Sequence, residues 1–192
     1  MSIITKNLLV GYQYTGKSWF CDFVKGNIKK KHNYSETTSI KFHYITINDI
    51  IKCKSNFLEY FQCIGKRKSK YSENKLYFWD TSGSPRFEWM AITMMNSKCV
   101  ENIIFVYDPS RPSTLRYIKD IYSKCEEKDK MNFIVLCIES EYPILCMKQA
   151  EKWCESNNWV HITINKNTSN IYINDGDIYN INKLEMTKLF FM

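Results

Sequence analysis

The sequence predicts an α/β fold, a doubly wound and mostly parallel sheet with helices on both faces. Two observations carry this. Short apolar runs alternate with longer segments of helical periodicity, an order that calls for right-handed crossovers and buries both faces of a parallel sheet. The chain has 192 residues, 44% hydrophobic and 15% aromatic, enough for one real core and too few for two large ones. A single domain over residues 1–192 is expected.

The first strand is read at Asn7 to Val10 and the first helix at Trp19 to Val24. Ile40 to Ile47 alternates apolar and polar residues, which suits an antiparallel edge strand. Leu76 to Trp79 and Phe87 to Met95 supply the next strand and helix. Asn102 to Tyr107 precedes a helix from about Pro112 to Glu127, and Asn132 to Ile138 precedes one at Leu145 to Ser156. Trp159 to Ile164 is the last strand before a poorly patterned tail.

An insertion is expected at about 50–74, Lys-rich at both ends and apolar in the middle (Phe57, Leu58, Tyr60, Phe61, Ile64). Basic residues from Lys52 to Lys75 outnumber Glu59 and Glu73 there and account for most of the net charge of +7. Charge this local marks one basic excursion, so nucleic acid is not the expected partner. The insertion reads either as a partner surface or as a solvated loop.

The eight cysteines are scattered, with no C-x-x-C pair, and are expected to be reduced thiols without zinc. Ile3 to Val10 is too short, and too quickly followed by polar residues, for a leader or a spanning helix, so a cytoplasmic protein without a transmembrane segment is expected. His32, His43 and His161 have no Cys or acid at ligand spacing and are read as ordinary polar or half-buried residues.

The strongest local signal is Gly11-Tyr12-Gln13-Tyr14-Thr15-Gly16-Lys17-Ser18, which fits G-x-x-x-x-G-K-[ST] in full between a strand and a helix. In this P-loop the backbone N–H groups turn inward while the helix directs its positive end at phosphates. Gly11, Gln13, Tyr14, Thr15 and Gly16 would form the cradle, Lys17 would reach the β- and γ-phosphates, and the Ser18 hydroxyl would bind Mg2+. Tyr14 is a departure, tolerable only if its ring points away from the phosphates. Asp80-Thr81-Ser82-Gly83, at the end of the following strand, supplies a second acid for the metal at Asp80 and an amide for the γ-phosphate at Gly83.

Together these segments resemble the Ras superfamily of small GTPases, and its Rab branch in particular. Trp79-Asp80-Thr81-Ser82-Gly83-Ser84-Pro85-Arg86-Phe87 is similar to the Rab pattern WDTAGQERF, and Ile103 to Asp108 to the strand that follows it. The resemblance implies a P-loop NTPase fold with five helices and six strands, a switch binding GTP and GDP with magnesium, and a role in vesicle trafficking. It also implies a magnesium-binding Thr in the first switch, at Thr37 counting back from Phe42, with Thr38 one residue away. Effector or regulatory proteins would meet Thr37–Phe42, Ser84–Met95 and the basic insertion.

Departures from the family pattern shape the expected chemistry. Ser84 replaces the water-positioning Gln and cannot both donate to and accept from an in-line water as an amide does, so hydrolysis should be slow. Gln13, in the loop near the γ-phosphate, would either substitute or obstruct. Of the base-reading N-K-x-D, the positions are Ile138, Glu139, Ser140 and Glu141, leaving Glu141 to accept from guanine or to be a solvated loop acid. Of S-A-K only Lys166 remains. The prenylated C-terminal cysteines are missing, so membrane association is expected only through a partner. The competing reading is a pseudo-GTPase scaffold with little or no turnover; a P-loop kinase fits the order of motifs less well.

Overall fold

The computed structural model describes residues 4–25, 36–46, 75–97, 99–126, 128–139, 143–166 and 171–173. The insertion at about 50–74 and the base-reading candidate Glu141 lie outside the described residues. Seven strands, β1 (Ile4–Val10), β2 (Lys41–Thr46), β3 (Lys75–Asp80), β4 (Asn102–Tyr107), β5 (Asn132–Glu139), β6 (Val160–Asn165) and β7 (Ile171–Ile173), form one sheet in the order β2-β3-β1-β4-β5-β6-β7. β3, β1, β4, β5 and β6 are parallel, and β2 and β7 add antiparallel to the two ends. The edge strand expected at Ile40 to Ile47 is β2. The expected six strands become seven because Ile-Tyr-Ile at 171–173 pairs with β6, a run too short for its alternation to register as a pattern in the sequence.

Helices cover both faces, as expected. α1 (Lys17–Val24) packs Phe20, Cys21 and Phe23 against Leu9, Phe78 and Ile104 on one face. α2 (Glu88–Met95), α3 (Pro112–Ser123) and α4 (Met147–Asn157) pack on the other, where Ala91, Met95, Leu115, Ile118, Ala150 and Cys154 meet the side chains of β1, β4 and β5. Consecutive residues of β1 divide between the faces, Leu8 and Val10 to one and Leu9 to the other, as the pleat requires. β4 is buried along its whole length, which is why it reads as a continuous apolar run.

α3 shows how sequence sets an element's limits. Pro112 starts it, and Leu115, Ile118 and Ile121 recur at helical spacing on its buried side. It stops at Ser123, short of the expected Glu127, because the amides of Lys124 and Cys125 turn back to Ile121 and Tyr122 three residues away and tighten the last turn. Stacked Phe105, Phe133 and Trp159, with Tyr122 edge-on to Trp159 at 4.7 Å, lock this end of α3 to the sheet.

Register at the amino ends of the central strands is fixed by an amide ladder that runs from buried Asn7 and Asn102 to Asn132 at the surface. The Asn102 side chain donates to Asn7 Oδ1 at 2.8 Å and accepts from Asn132 Nδ2 at 3.0 Å, while Asn7 donates to the Tyr77 carbonyl. A one-residue slip of β1, β4 or β5 would strand these groups in the core. With that register the carboxyl ends of β1, β3, β4, β5 and β6 come out on one edge, the place where open α/β sheets bind ligands.

Candidate phosphate and metal site

The loop Gly11–Gly16 leaves β1 at the centre of that edge. A side chain at Gly11 would put its Cβ 2.2 Å from the Val106 carbonyl oxygen, so this turn admits only glycine. Gly16, at φ 94, leads into α1, whose first residue is Lys17. Within the loop the buried Thr15 hydroxyl donates to the Tyr12 carbonyl at 2.9 Å. Tyr14 stands at φ 63 with its side chain 59% exposed, so its bulk is kept out of the loop's interior.

Lys17 is only 6% exposed and lies along the loop, donating to the Gly11 and Tyr12 carbonyls at 2.8 and 2.9 Å. Burial lowers its pKa from the ordinary 10.5 to about 8, against the opposing pull of Asp80. The segment after β3 closes over this cation. A Cβ at Gly83 would fall 2.6 Å from each of Lys17 Nζ, the Gln13 amide nitrogen and the Tyr12 carbonyl carbon. Thr81 anchors the segment, its hydroxyl donating to the Leu9 carbonyl at 2.6 Å.

Beside Lys17, three predicted metal ligands from three separate stretches of chain converge. The Ser18 hydroxyl donates to Asp80 Oδ2 at 2.6 Å and lies 3.3 Å from the Thr37 hydroxyl. Thr37 is buried and Thr38 is exposed, which separates the two candidates in favour of Thr37. Asp80 is fully buried, burial pushes its carboxyl pKa up, and its Oδ1 has no hydrogen-bond partner. An unsatisfied buried carboxylate oxygen beside two hydroxyls fits a small hard cation such as Mg2+. Among the described residues no group of three or more His, Cys, Asp or Glu could hold a metal by itself.

Ser84 and Gln13, the residues expected to bear on turnover, sit differently. Ser84 is buried, its amide donating to the Ser82 hydroxyl at 3.2 Å and its carbonyl accepting from Phe87 at 2.9 Å, at the start of a 3-10 turn over Pro85–Phe87. The Gln13 side chain donates to Glu36 at 3.0 Å, which ties it to the stretch that carries Thr37.

On the other side of β1, beyond the ends of β4, β5 and β6, is a cavity of about 590 Å³ lined by Tyr14, Asp108, Arg111, Pro143, Leu145 and Lys166, among others. Lys166 is half-buried, its ammonium 5.6 Å from the Trp19 ring centroid, and burial lowers its pKa. Ile138, the first base-reading position, is instead core, its methyl 2.9 Å from where a Gly16 Cβ would be. Glu139 is held by Asn165 Nδ2 at 3.0 Å.

Sequence reasoning missed Arg111. Its Nε donates to Asp108 Oδ2 at 2.8 Å, and its Nη2 donates to the Tyr14 carbonyl at 2.9 Å and the Gln13 carbonyl at 3.3 Å. The signal was an Asp108-x-x-Arg111 spacing at the end of a strand, too common to single out without the fold. Among the described residues no helix is long and apolar enough to cross a membrane. Neither a protein-family model nor a curated protein matches this sequence.

Proposed function

We propose that this protein is a Rab-like guanine-nucleotide-binding switch of P-loop NTPase fold, magnesium-dependent and slow to hydrolyse GTP. The observation that supports this best is the meeting of Ser18, Thr37 and Asp80 beside a buried Lys17 under Gly83. The loop Gly11–Gly16 wraps the β- and γ-phosphates, and Lys17 exchanges its two carbonyl partners for phosphate oxygens. Magnesium, held by Ser18, Thr37 and Asp80, supplies charge neutralisation on those oxygens when bound. Thr37 reports the γ-phosphate by docking or releasing the segment that precedes β2, the order–disorder logic of nucleotide switches. The exposed Phe42 and Trp89 belong to the stretches 37–42 and 84–95 where effector or regulatory proteins would bind, and such a partner would bring the cytoplasmic protein to a membrane.

Nucleotide released by heat from purified protein and identified by chromatography tests the reading. GDP or GTP at near-stoichiometric amounts supports it; no nucleotide, and no binding on addition of Mg-GTP, refutes it. The second reading, a pseudo-GTPase scaffold, draws support from Ser84 pinned at both backbone groups and from Gln13 held by Glu36. Bound GTP that persists through many hours without turnover would favour it.

A further inference from the structure

We infer that Tyr14 is the stacking platform for the nucleotide's ring, so that this site holds the base by its flat face and discriminates weakly between guanine and adenine. The inference rests on the nucleotide-switch reading and adds the residue that sets its specificity. The two ends of the candidate site differ in chemistry. Hydroxyls, a carboxylate and Lys17 gather on the β3 side of β1, while the cavity on the β4 to β6 side carries the rings and chains of Tyr14, Pro143 and Leu145 beside Lys166. One loop, Gly11–Gly16, borders both. A ligand that fills them has phosphates at one end and a flat, partly apolar group at the other.

Tyr14 is conformationally unusual. An aromatic residue at φ 63 sits in the left-handed region, where glycine is at ease and a Cβ costs energy. If only the loop's path mattered, glycine would serve; strain retained on a large side chain at a cavity wall points to use of that side chain. The conformation is held from outside the loop by Arg111, which grips the Tyr14 and Gln13 carbonyls through Nη2 while Asp108 grips Arg111. Burial by itself would raise the Asp108 pKa, but hydrogen bonds from Ser110 and Arg111 outweigh it and leave it lowered, so the carboxylate stays charged as an anchor.

Among the described residues, two positions that could read a base edge are engaged otherwise: Ile138 is buried under the loop and Glu139 is bound by Asn165. With those two occupied, ring binding rests on stacking, which every base offers.

The test is calorimetric titration of the full chain with Mg-GTP, Mg-ATP and inorganic tripolyphosphate with magnesium. GTP and ATP should bind within about tenfold of each other, and both roughly ten- to a hundredfold tighter than tripolyphosphate, the range of one base–aromatic stack. Tyr14→Gly, which suits the backbone and spares the fold, should weaken both nucleotides by that ten- to hundredfold and leave tripolyphosphate alone. Tyr14→Gly without effect on nucleotides, or weakening tripolyphosphate equally, would overturn the platform; so would a preference for GTP over ATP beyond about a hundredfold. Tripolyphosphate that binds as tightly as GTP sinks the platform and leaves the phosphate site standing. If none of the three binds, both readings fall.

Discussion

The Ser18 hydroxyl donates to Asp80 Oδ2 at 2.6 Å, and the other oxygen of the same buried carboxylate has no partner. A protein selected for stability alone would not leave this oxygen unsatisfied.

Asp80→Asn should therefore separate function from stability. It removes a carboxylate whose pKa burial has raised, and such a group costs stability as pH rises through its pKa. The nucleotide-free variant should melt higher than the parent at pH 7. In titrations with and without EDTA, the parent's affinity for GTP should fall at least tenfold on removal of magnesium, whereas the variant should be weak in both. A variant that keeps the parent's magnesium dependence would remove Asp80 from the metal.

Lys17 gives a pH signature. With its pKa lowered to about 8, the ammonium is increasingly lost above that pH, and phosphate binding would have to take a proton back up. Affinity for GTP should be flat from pH 6.5 to 7.5 and fall by nearly tenfold per unit well above pH 8. Stability of the nucleotide-free protein should run the other way, rising from pH 8 toward 10.5, because there the unfolded chain binds more protons. Lys17→Ala should weaken GTP roughly ten- to a hundredfold at pH 7 and abolish the slope. A parent profile that stays flat to pH 9.5 contradicts the role given to this cation.

Gly83→Ala places a methyl 2.6 Å from Lys17 Nζ and from two backbone atoms of the loop. Lys17 can swing aside, but the Gln13 and Tyr12 backbone cannot without reshaping the cradle. The variant should fold, with a circular dichroism spectrum like the parent's, and bind GTP at least tenfold more weakly. Unimpaired binding would mean that Gly83 lies outside the working site.

The sequence made the sheet and the loop Gly11–Gly16 legible for a physical reason, since β3, β4 and β5 hold contiguous apolar runs, β2 alternates apolar and polar residues, and the loop's glycines occupy fixed spacings. Even the register of Thr37 could be counted from Phe42, and the burial of Thr37 against the exposure of Thr38 separates the two. What could not be read was tertiary. Arg111 lies 97 residues from the Tyr14 carbonyl it holds, and no local pattern marks that bond. β7 was invisible because three residues show no periodicity. The bond from Asn165 to Glu139 is equally hidden, because only the pairing of β5 with β6 brings the two together.

His161 should govern acid sensitivity. It is 1% exposed, its Nε2 lies 2.9 Å from the Tyr107 hydroxyl, its Nδ1 has no partner, and burial lowers its pKa from 6.5 to about 4. A depressed histidine stabilises the fold fully above pH 6.5 and loses that contribution as pH falls toward 4, here on the order of 3 kcal/mol. Urea midpoints measured between pH 7 and 4.5 should drop accordingly. His161→Gln should be less stable than the parent at pH 7 and lose less on acidification. An unchanged pH profile in that variant would assign the acid loss to other groups.

Turnover is where the site is least equipped. Water-positioning by a Gln gives an unassisted rate of only about 10⁻⁴ per second in the small-GTPase family. Ser84 lacks the amide, and its backbone is held on both sides, by the Ser82 hydroxyl and by the Phe87 amide, with Pro85 next in line. The loop cannot swing to bring a substitute close. Gln13, on the cradle itself, is turned to Glu36. Single-turnover hydrolysis of bound GTP should therefore be below about 10⁻⁴ per second, and the protein once loaded should stay in its triphosphate form until a partner supplies groups or exchanges the nucleotide. Ser84→Gln should raise the rate by less than tenfold, because the pinned backbone limits where the new amide can reach. Glu36→Ala releases Gln13 and separates the two candidates: a larger gain there than from Ser84→Gln would make Gln13 the residue that places the water. A parent rate at or above about 10⁻³ per second without any partner would end the slow-switch reading.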